Sequence, residues 1–372
     1  MRMSDGIRSL LVLIAGFSAL WTDASETIRF RYQAPESVQS VALVADFLGW
    51  DTERFQLKKT PGERFFELEL PRPWARSIQY KFLVDGKYWT VDPTQSERIP
   101  DGRGGVNSLI SDTGFRDDTL LELKPGNFAW KRSRVNLETP RGSRGFVVLA
   151  PPLAWRRSSR FQSKKNRQEV VVYFQDGGDY LSQAGAAALL ANWSQMPEMP
   201  IYTGVFVPPQ NRMTEYGLTP ETLEYEQFLI RQVVPHVESR YFANDSAVRR
   251  VLIGPSLGGL VTFHIALRNP SVFDQAVSQS GSFWYRPQET LGLIAQQSDQ
   301  VVPELFLEVG IWESDKMVQW NRTVKDSLVS QGNLRIHYRE YPTTHQWSGW
   351  KNRLSEIFRT LARSHSIDTK NY

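Results

Sequence analysis

The segment Gly254-Pro255-Ser256-Leu257-Gly258-Gly259 constrains this chain more than any other. The run Val248 to Ile253, apolar and β-branched but for Arg249 and Arg250, precedes it, and the helix-period run Leu260 to Leu267 follows. A strand that reverses at once into a helix needs small residues at the turn. Gly254 and Gly258 leave room for that reversal, and Gly259 lets helix and strand lie close together. Ser256 is then lifted to a strained, exposed position. The first N–H groups of the helix face whatever Ser256 attacks, and they suit a developing oxyanion. A bare G-x-S-x-G arises often by chance; its place between strand and helix gives it meaning. It predicts an α/β layer with Ser256 as nucleophile and the Leu257 N–H as an oxyanion donor.

The rest of the chain from about residue 124 agrees. Apolar runs at Gly145 to Leu149, Glu169 to Phe174, Ile201 to Pro208, Gln275 to Ser278 and Glu304 to Val309, with the alternating run Ile336 to Tyr341, read as further strands. Helical stretches at Ala184 to Trp193, Glu221 to Arg240, Gly258 to Asn269, Asp315 to Gln331 and Trp347 to Leu361 alternate with them. Such alternation predicts a mainly parallel sheet, and with the elbow it places an α/β-hydrolase domain at 124–367.

A serine nucleophile needs a base, and the chain has five His. In this architecture the order is Ser, acid, His. His236 therefore falls too early. His264 shares the helix that follows Ser256 and cannot turn back to it; His337 lies mid-strand and His365 in the polar tail. His345 sits just past the last strand, where a base belongs. The acid is expected after the preceding strand, in Gly310-Ile311-Trp312-Glu313-Ser314-Asp315, with Glu313 ahead of Asp315. Glu308 would point from the strand itself. A second oxyanion N–H is expected from Asp176-Gly177-Gly178-Asp179, at Gly177 or Gly178.

Residues 25–115 read differently. Short alternating runs, among them Thr27 to Tyr32, Val38 to Val44, Arg64 to Leu70 and Ile78 to Val84, are broken by Pro, Asp-Gly and Gly-rich turns. They predict an all-β immunoglobulin-like sandwich. Asp46-Phe47-Leu48-Gly49-Trp50, Tyr80 to Gly86, Trp89, Asp92-Pro93 and Gly105-Val106-Asn107-Ser108 resemble the glycogen-binding type of such domains. That resemblance makes Trp50, Lys81, Trp89 and Asn107 candidate glycan contacts, since an indole can cover the apolar face of a pyranose. Leu48 departs from it, standing where Asn is usual. The other role such a domain can have is structural, shaping the neighbouring site.

The chain has no Cys, which excludes disulfide scaffolds, thiolate metal sites and Cys nucleophiles. No cofactor or metal is expected. The net charge is +4, and eleven Lys/Arg lie between Lys131 and Arg167 against Glu138 alone. That cluster reads either as a solvated hairpin and loop or as an attractor for an anionic ligand. No motif for nucleic acid accompanies it. Arg2 and Arg8 precede the apolar run Leu10 to Trp21, which is too short to span a bilayer, and Thr22-Asp23-Ala24 follows. Residues 1–24 therefore read as a cleaved secretory signal, with a buried N-terminal helix as the alternative. A periplasmic protein with no membrane insertion after cleavage is expected.

Ser278-Gln279-Ser280-Gly281-Ser282-Phe283-Trp284 and Leu307 to Glu313 resemble the corresponding segments of enterochelin esterases. Thr344-His345-Gln346-Trp347 is similar to their G-G-H-D-x-x-x-W stretch, with Thr344 and Gln346 as departures. The resemblance implies a Ser256, His345, Glu313 triad, or a Ser–His pair, with Leu257 and the Gly177–Gly178 region as donors. It implies hydrolysis of the trilactone of a ferric catecholate siderophore, a small-molecule ester. Arg156, Arg157 and Arg212, with Trp284, are candidate contacts for that anionic substrate. Carbohydrate-linked esterases share the fold and remain the second expectation.

Overall fold

The computed structural model describes residues 27–73, 77–101, 104–111, 130–152, 167–196, 199–242, 248–297, 302–332 and 335–368. The segment read as a secretory signal lies outside these residues, as does the Arg156-Arg157 pair.

The N-terminal part is all β. Strands β1 (Thr27–Gln33), β2 (Val41–Ala45), β3 (Lys58–Lys59), β4 (Phe65–Pro71), β5 (Ser77–Val84), β6 (Tyr88–Thr90), β7 (Arg98–Pro100) and β8 (Val106–Ser111) form two antiparallel sheets. One has the order β1-β4-β3; the other has the order β2-β5-β8-β7, with β6 on β5. Phe30, Leu43, Phe66, Ile78 and Phe82 fill the space between them, as alternation in β1, β4 and β5 requires. A 3₁₀ turn, Asp46–Leu48, leaves β2. Leu48 is buried in the same core, so the residue that departs from the glycan-binding pattern is a packing residue.

The second part holds β9 (Lys131–Thr139), β10 (Gly142–Ala150), β11 (Glu169–Gln175), α1 (Gly177–Ser182), α2 (Ala186–Gln195), β12 (Ile201–Val207), α3 (Arg212–Tyr216), α4 (Pro220–Phe228), α5 (Val234–Tyr241), β13 (Val248–Pro255), α6 (Leu257–Arg268), β14 (Gln275–Gln279), α7 (Pro287–Ala295), β15 (Glu304–Gly310), α8 (Asp315–Ser330), β16 (Ile336–Tyr341) and α9 (Trp347–Asp368). Its sheet has the order β16-β15-β14-β13-β11-β12-β10-β9. All pairings are parallel except β10 with β12 and β10 with β9. Helices cover both faces. Val171 and Tyr173 of β11 join Leu260 and Phe263 of α6 on one side, while Val170, Val172 and Phe174 join Trp193, Leu354 and Phe358 on the other. A strand buried on both faces needs a mostly apolar run, which is how β11 and β12 read; β13 carries Arg249 and Arg250 at its half-buried start and is apolar from Val251 to Ile253.

The stretch expected as one helix over Glu221 to Arg240 is divided. A π turn, Leu229–Val233, separates α4 from α5. Pro235 cannot donate to the carbonyl four residues earlier, and its ring would clash there; the wider turn absorbs that fault.

Candidate active site

Ser256 occupies the turn between β13 and α6 with φ 58° and ψ −122°, a conformation that an L-residue adopts only under constraint. The constraint is visible. Its N–H donates to the Gln279 carbonyl at 2.8 Å, and its carbonyl accepts from Ser282 N–H at 3.0 Å. A Cβ on Gly254 would stand 2.4 Å from the Gly258 carbonyl oxygen, so the reversal closes only around glycine.

His345, in the loop after β16, places Nε2 2.9 Å from Ser256 Oγ. Its Nδ1 lies 2.7 Å from Glu313 Oε2, in the loop after β15. The imidazole is 36% exposed and the carboxylate side chain 0%. Glu313 accepts, so Nδ1 carries the proton and Nε2 is left to accept from Ser256. The other Glu313 oxygen accepts from Ser280 Oγ at 2.5 Å and from Gly310 N–H at 2.9 Å. Ser280 in turn accepts from the Trp350 indole N–H at 2.9 Å, and the Trp350 ring meets His345 edge-on at 5.0 Å. Ser282 Oγ lies 3.3 Å from Ser256 Oγ.

The competing residues are elsewhere. Asp315 is exposed in the first turn of α8. Glu308 forms a buried pair with Arg353, at side-chain exposures of 0% and 1%, and burial pushes its carboxyl up. His264 is buried against Thr290, and burial pushes its imidazole down to about 3. His337 bonds Glu304 at 2.7 Å.

Leu257 opens α6, where helix geometry leaves its N–H without an intrahelical partner. Across from it, Asp176 takes φ 53° and α1 starts at Gly177. A Cβ on Gly177 would stand 2.3 Å from the Phe206 carbonyl carbon, whereas Gly178 faces open space. The loop is therefore pinned to β12 through Gly177.

Arg212 does not stand free for an anionic ligand, as the sequence suggested. Its guanidinium bonds both oxygens of buried Asp176 at 2.9 Å and reaches the Pro255 carbonyl at 3.3 Å. It ties the Asp176–Gly178 loop to the turn that carries Ser256. Burial pushes the Asp176 carboxyl up, while Arg212 opposes that shift. The basic hairpin is likewise spent or distant. Arg144 is buried on Glu215 and Arg141 bonds Glu224. Lys131, Arg132 and Arg134 are exposed on β9, at the sheet edge four strands from β13, roughly 19 Å away at the usual strand spacing. Trp284 is near the site: it is half-buried two residues beyond Ser282, with Lys316 Nζ 4.4 Å from its ring centroid.

In the β-sandwich, Trp50, Trp89, Lys81 and Asn107 line one cleft of about 650 Å³ together with Gln79 and Asp101. Trp50 is 40% exposed and Trp89 53%. Lys81 bonds Asp101 at 2.7 Å, and Asn107 donates to Gln79 at 3.2 Å.

Sequence reasoning assigns no role to Ser280 and Trp350. Ser280 lies inside the quoted Ser278 to Trp284 segment, and its φ of 49° is the kind of strain that a motif conceals. Trp350 falls five residues after His345, where the tryptophan of the G-G-H-D-x-x-x-W pattern belongs by spacing.

The sequence model of the Esterase family matches residues 153–361. The chain belongs to that family. A second model, carbohydrate-binding module 48 (isoamylase N-terminal domain), matches residues 16–99 of this esterase. The Bacillus subtilis protein YbbA is 28% identical over 212 residues, 51% of this chain and 80% of its own length. The iron(III) enterobactin esterase of Dickeya dadantii is 31% identical over 134 residues, 32% of this chain and 30% of its own length. In structure, the esterase is similar to the ferric enterobactin esterase of Salmonella typhimurium, at TM-score 0.62 and 16% identity, covering 92% of this chain and 94% of the other. The Shigella flexneri enterobactin esterase crystallised in the presence of enterobactin gives TM-score 0.60 at 16% identity, with coverage of 91% and 93%. These likenesses establish the two-domain fold, a β-sandwich before an α/β hydrolase. Among the described residues, no helix is long and apolar enough to cross a membrane.

Proposed function

We propose that this esterase is a serine carboxylic-ester hydrolase with Ser256 as nucleophile, His345 as general base and acid, and Glu313 as the group that orients His345. The observation that carries the reading is the unbroken hydrogen-bond path Ser256 Oγ–His345–Glu313, at 2.9 and 2.7 Å. Ser256 Oγ attacks the ester carbonyl while its proton passes to His345 Nε2. Negative charge on the carbonyl oxygen is met by the Leu257 N–H and an N–H of the Gly177–Gly178 turn. His345 returns the proton to the leaving alkoxide, and water then cleaves the acyl-enzyme by the same steps.

The substrate class supported best is the lactone of a ferric catecholate siderophore, with iron as cargo. Two structures named as enterobactin esterases share both domains at over 90% coverage. Trp284 beneath Lys316 supplies an aromatic face and a cation for a catecholate ring. Residues 1–24 are proposed as an export signal, which places hydrolysis in the periplasm. The test is turnover of ferric enterobactin, its iron-free form, methyl ferulate and p-nitrophenyl acetate. Preference for a catecholate lactone by at least tenfold in kcat/KM is expected; preference for the ferulate ester would reject this substrate class.

The Trp50–Trp89 cleft favours a second reading, a carbohydrate-linked ester. Retention of the protein on an amylose or xylan column, abolished by Trp89→Ala, would promote it. Retention at background is the expected result.

A further inference from the structure

The loops that carry Glu313 and His345 are held from outside by the β-sandwich. Gln346 donates its side-chain N–H to the Asp46 carbonyl, and Thr344 Oγ1 donates to the Phe47 carbonyl at 3.4 Å. Both residues flank His345. On the acid loop, Arg54 donates to the carbonyls of Trp312 and, at 3.5 Å, of Glu313. The Trp312 ring is buried in the sandwich core, 5.5 Å from Phe47 and 6.0 Å from Phe55. The two loops also touch each other, since Trp312 N–H donates to the Thr343 carbonyl at 3.1 Å. Thr344 and Gln346 depart from the G-G-H-D stretch, as Thr343 also does, and these two departures reach the sandwich.

We infer that the sandwich is a clamp which sets the acid loop against the base loop, with Gln346 and Arg54 as positioning residues. This rests on the triad proposed above. Neither residue contacts Ser256, His345 or Glu313 through its side chain except for the Arg54 bond to the Glu313 main chain. They act on where the 2.7 and 2.9 Å bonds fall. A misplacement of about 1 Å in a catalytic group costs on the order of 10² in rate. A clamp of this kind therefore alters kcat and leaves KM for a small ester alone.

The experiment uses the full chain with p-nitrophenyl acetate. Gln346→Met keeps the length and removes the donor; Arg54→Met removes the donor and keeps an unbranched, shorter chain. The double variant is expected to lose about 10- to 100-fold in kcat with KM within about twofold. Arg54→Lys, which can still donate to one carbonyl, should stay within about threefold of wild type. A second readout is the far-downfield proton resonance of His345 Nδ1–H, expected in the wild type and broadened or lost in the double variant. Unchanged kcat in the double variant, or a rise in KM equal to the fall in kcat, would overturn the clamp, whatever happens to the melting temperature. A wild type that hydrolyses no ester would reject the esterase reading instead. The resonance would then decide the clamp alone: its loss in the double variant supports the inference, and its persistence overturns it.

Discussion

Glu313→Gln is a nearly isosteric change with a large expected effect on turnover. The wild-type carboxylate faces three donors: Ser280 O–H and Gly310 N–H at one oxygen, and His345 Nδ1–H at the other. An amide has one acceptor oxygen and one NH₂ group. Two donors hold the oxygen on the Ser280 side, so the NH₂ turns toward His345. The imidazole answers by moving its proton to Nε2, where it opposes the Ser256 hydroxyl and can no longer accept from it. A wrong tautomer of this kind costs about 10⁴ in kcat in serine proteases, and the same magnitude is expected here. Stability should change little, by about 1 kcal/mol, because every buried group keeps a partner and only the charge assistance is lost. Asp315→Asn alters an exposed carboxylate in the first turn of α8. It should leave kcat within about twofold and cost a few tenths of a kcal/mol through the helix dipole. Steady-state kinetics and urea unfolding on both variants check this. Equal mild losses in kcat would show that no carboxylate orients the base, and a larger loss in Asp315→Asn would reverse the assignment.

Other outcomes follow from the same geometry. Gly177→Ala would press a methyl group onto the backbone of β12 at 2.3 Å and should cost on the order of 3 kcal/mol, whereas Gly178→Ala enters open space and should be neutral or slightly stabilising in a thermal melt. Burial pushes the Asp46 carboxyl up from 3.8 to about 6. Its ionised form is thus penalised in the fold: the penalty is absent below pH 3.8, grows between 3.8 and about 6, and is complete above. Asp46→Asn should therefore add up to about 3 kcal/mol in urea unfolding at pH 7.5 and nothing at pH 3.5, and equal gains at both would reject burial as the cause. N-terminal sequencing of the exported protein should begin at Ser25; a chain that starts at Met1 in the periplasmic fraction would remove the signal assignment.

The parallel strands β11, β12 and β15 were legible because they are buried on both faces, so a mostly apolar run has one structural solution. The meeting of Ser256 and His345 was legible for a similar reason: chain order and the scarcity of His leave His345 alone at a strand end. The acid was less so. Glu313 and Asp315 are two residues apart, and only the turn after β15, which aims Glu313 inward beside Gly310, separates them. The partner of Arg212 was not legible, because a cation in sequence carries no sign of it; Asp176 lies 36 residues earlier. Of the two readings of the basic cluster, the described hairpin fits the first: Arg144 and Arg141 find Glu215 and Glu224, and Lys131, Arg132 and Arg134 are exposed. Ser280 and Trp350 touch the site through Glu313 and His345; both fall inside segments that carry the family resemblance, but the pattern alone does not say what they bond.

The central claim is that Ser256 is a nucleophile made reactive by His345. Covalent labelling with a fluorophosphonate, followed by peptide mapping, tests it most directly. The account predicts one adduct per chain, on the peptide that contains Ser256, and none in Ser256→Ala, which should keep its fold and lose ester turnover by roughly 10⁴ to 10⁶. An adduct on another serine, or a Ser256→Ala protein that still turns over ester at a near-normal rate, would contradict it.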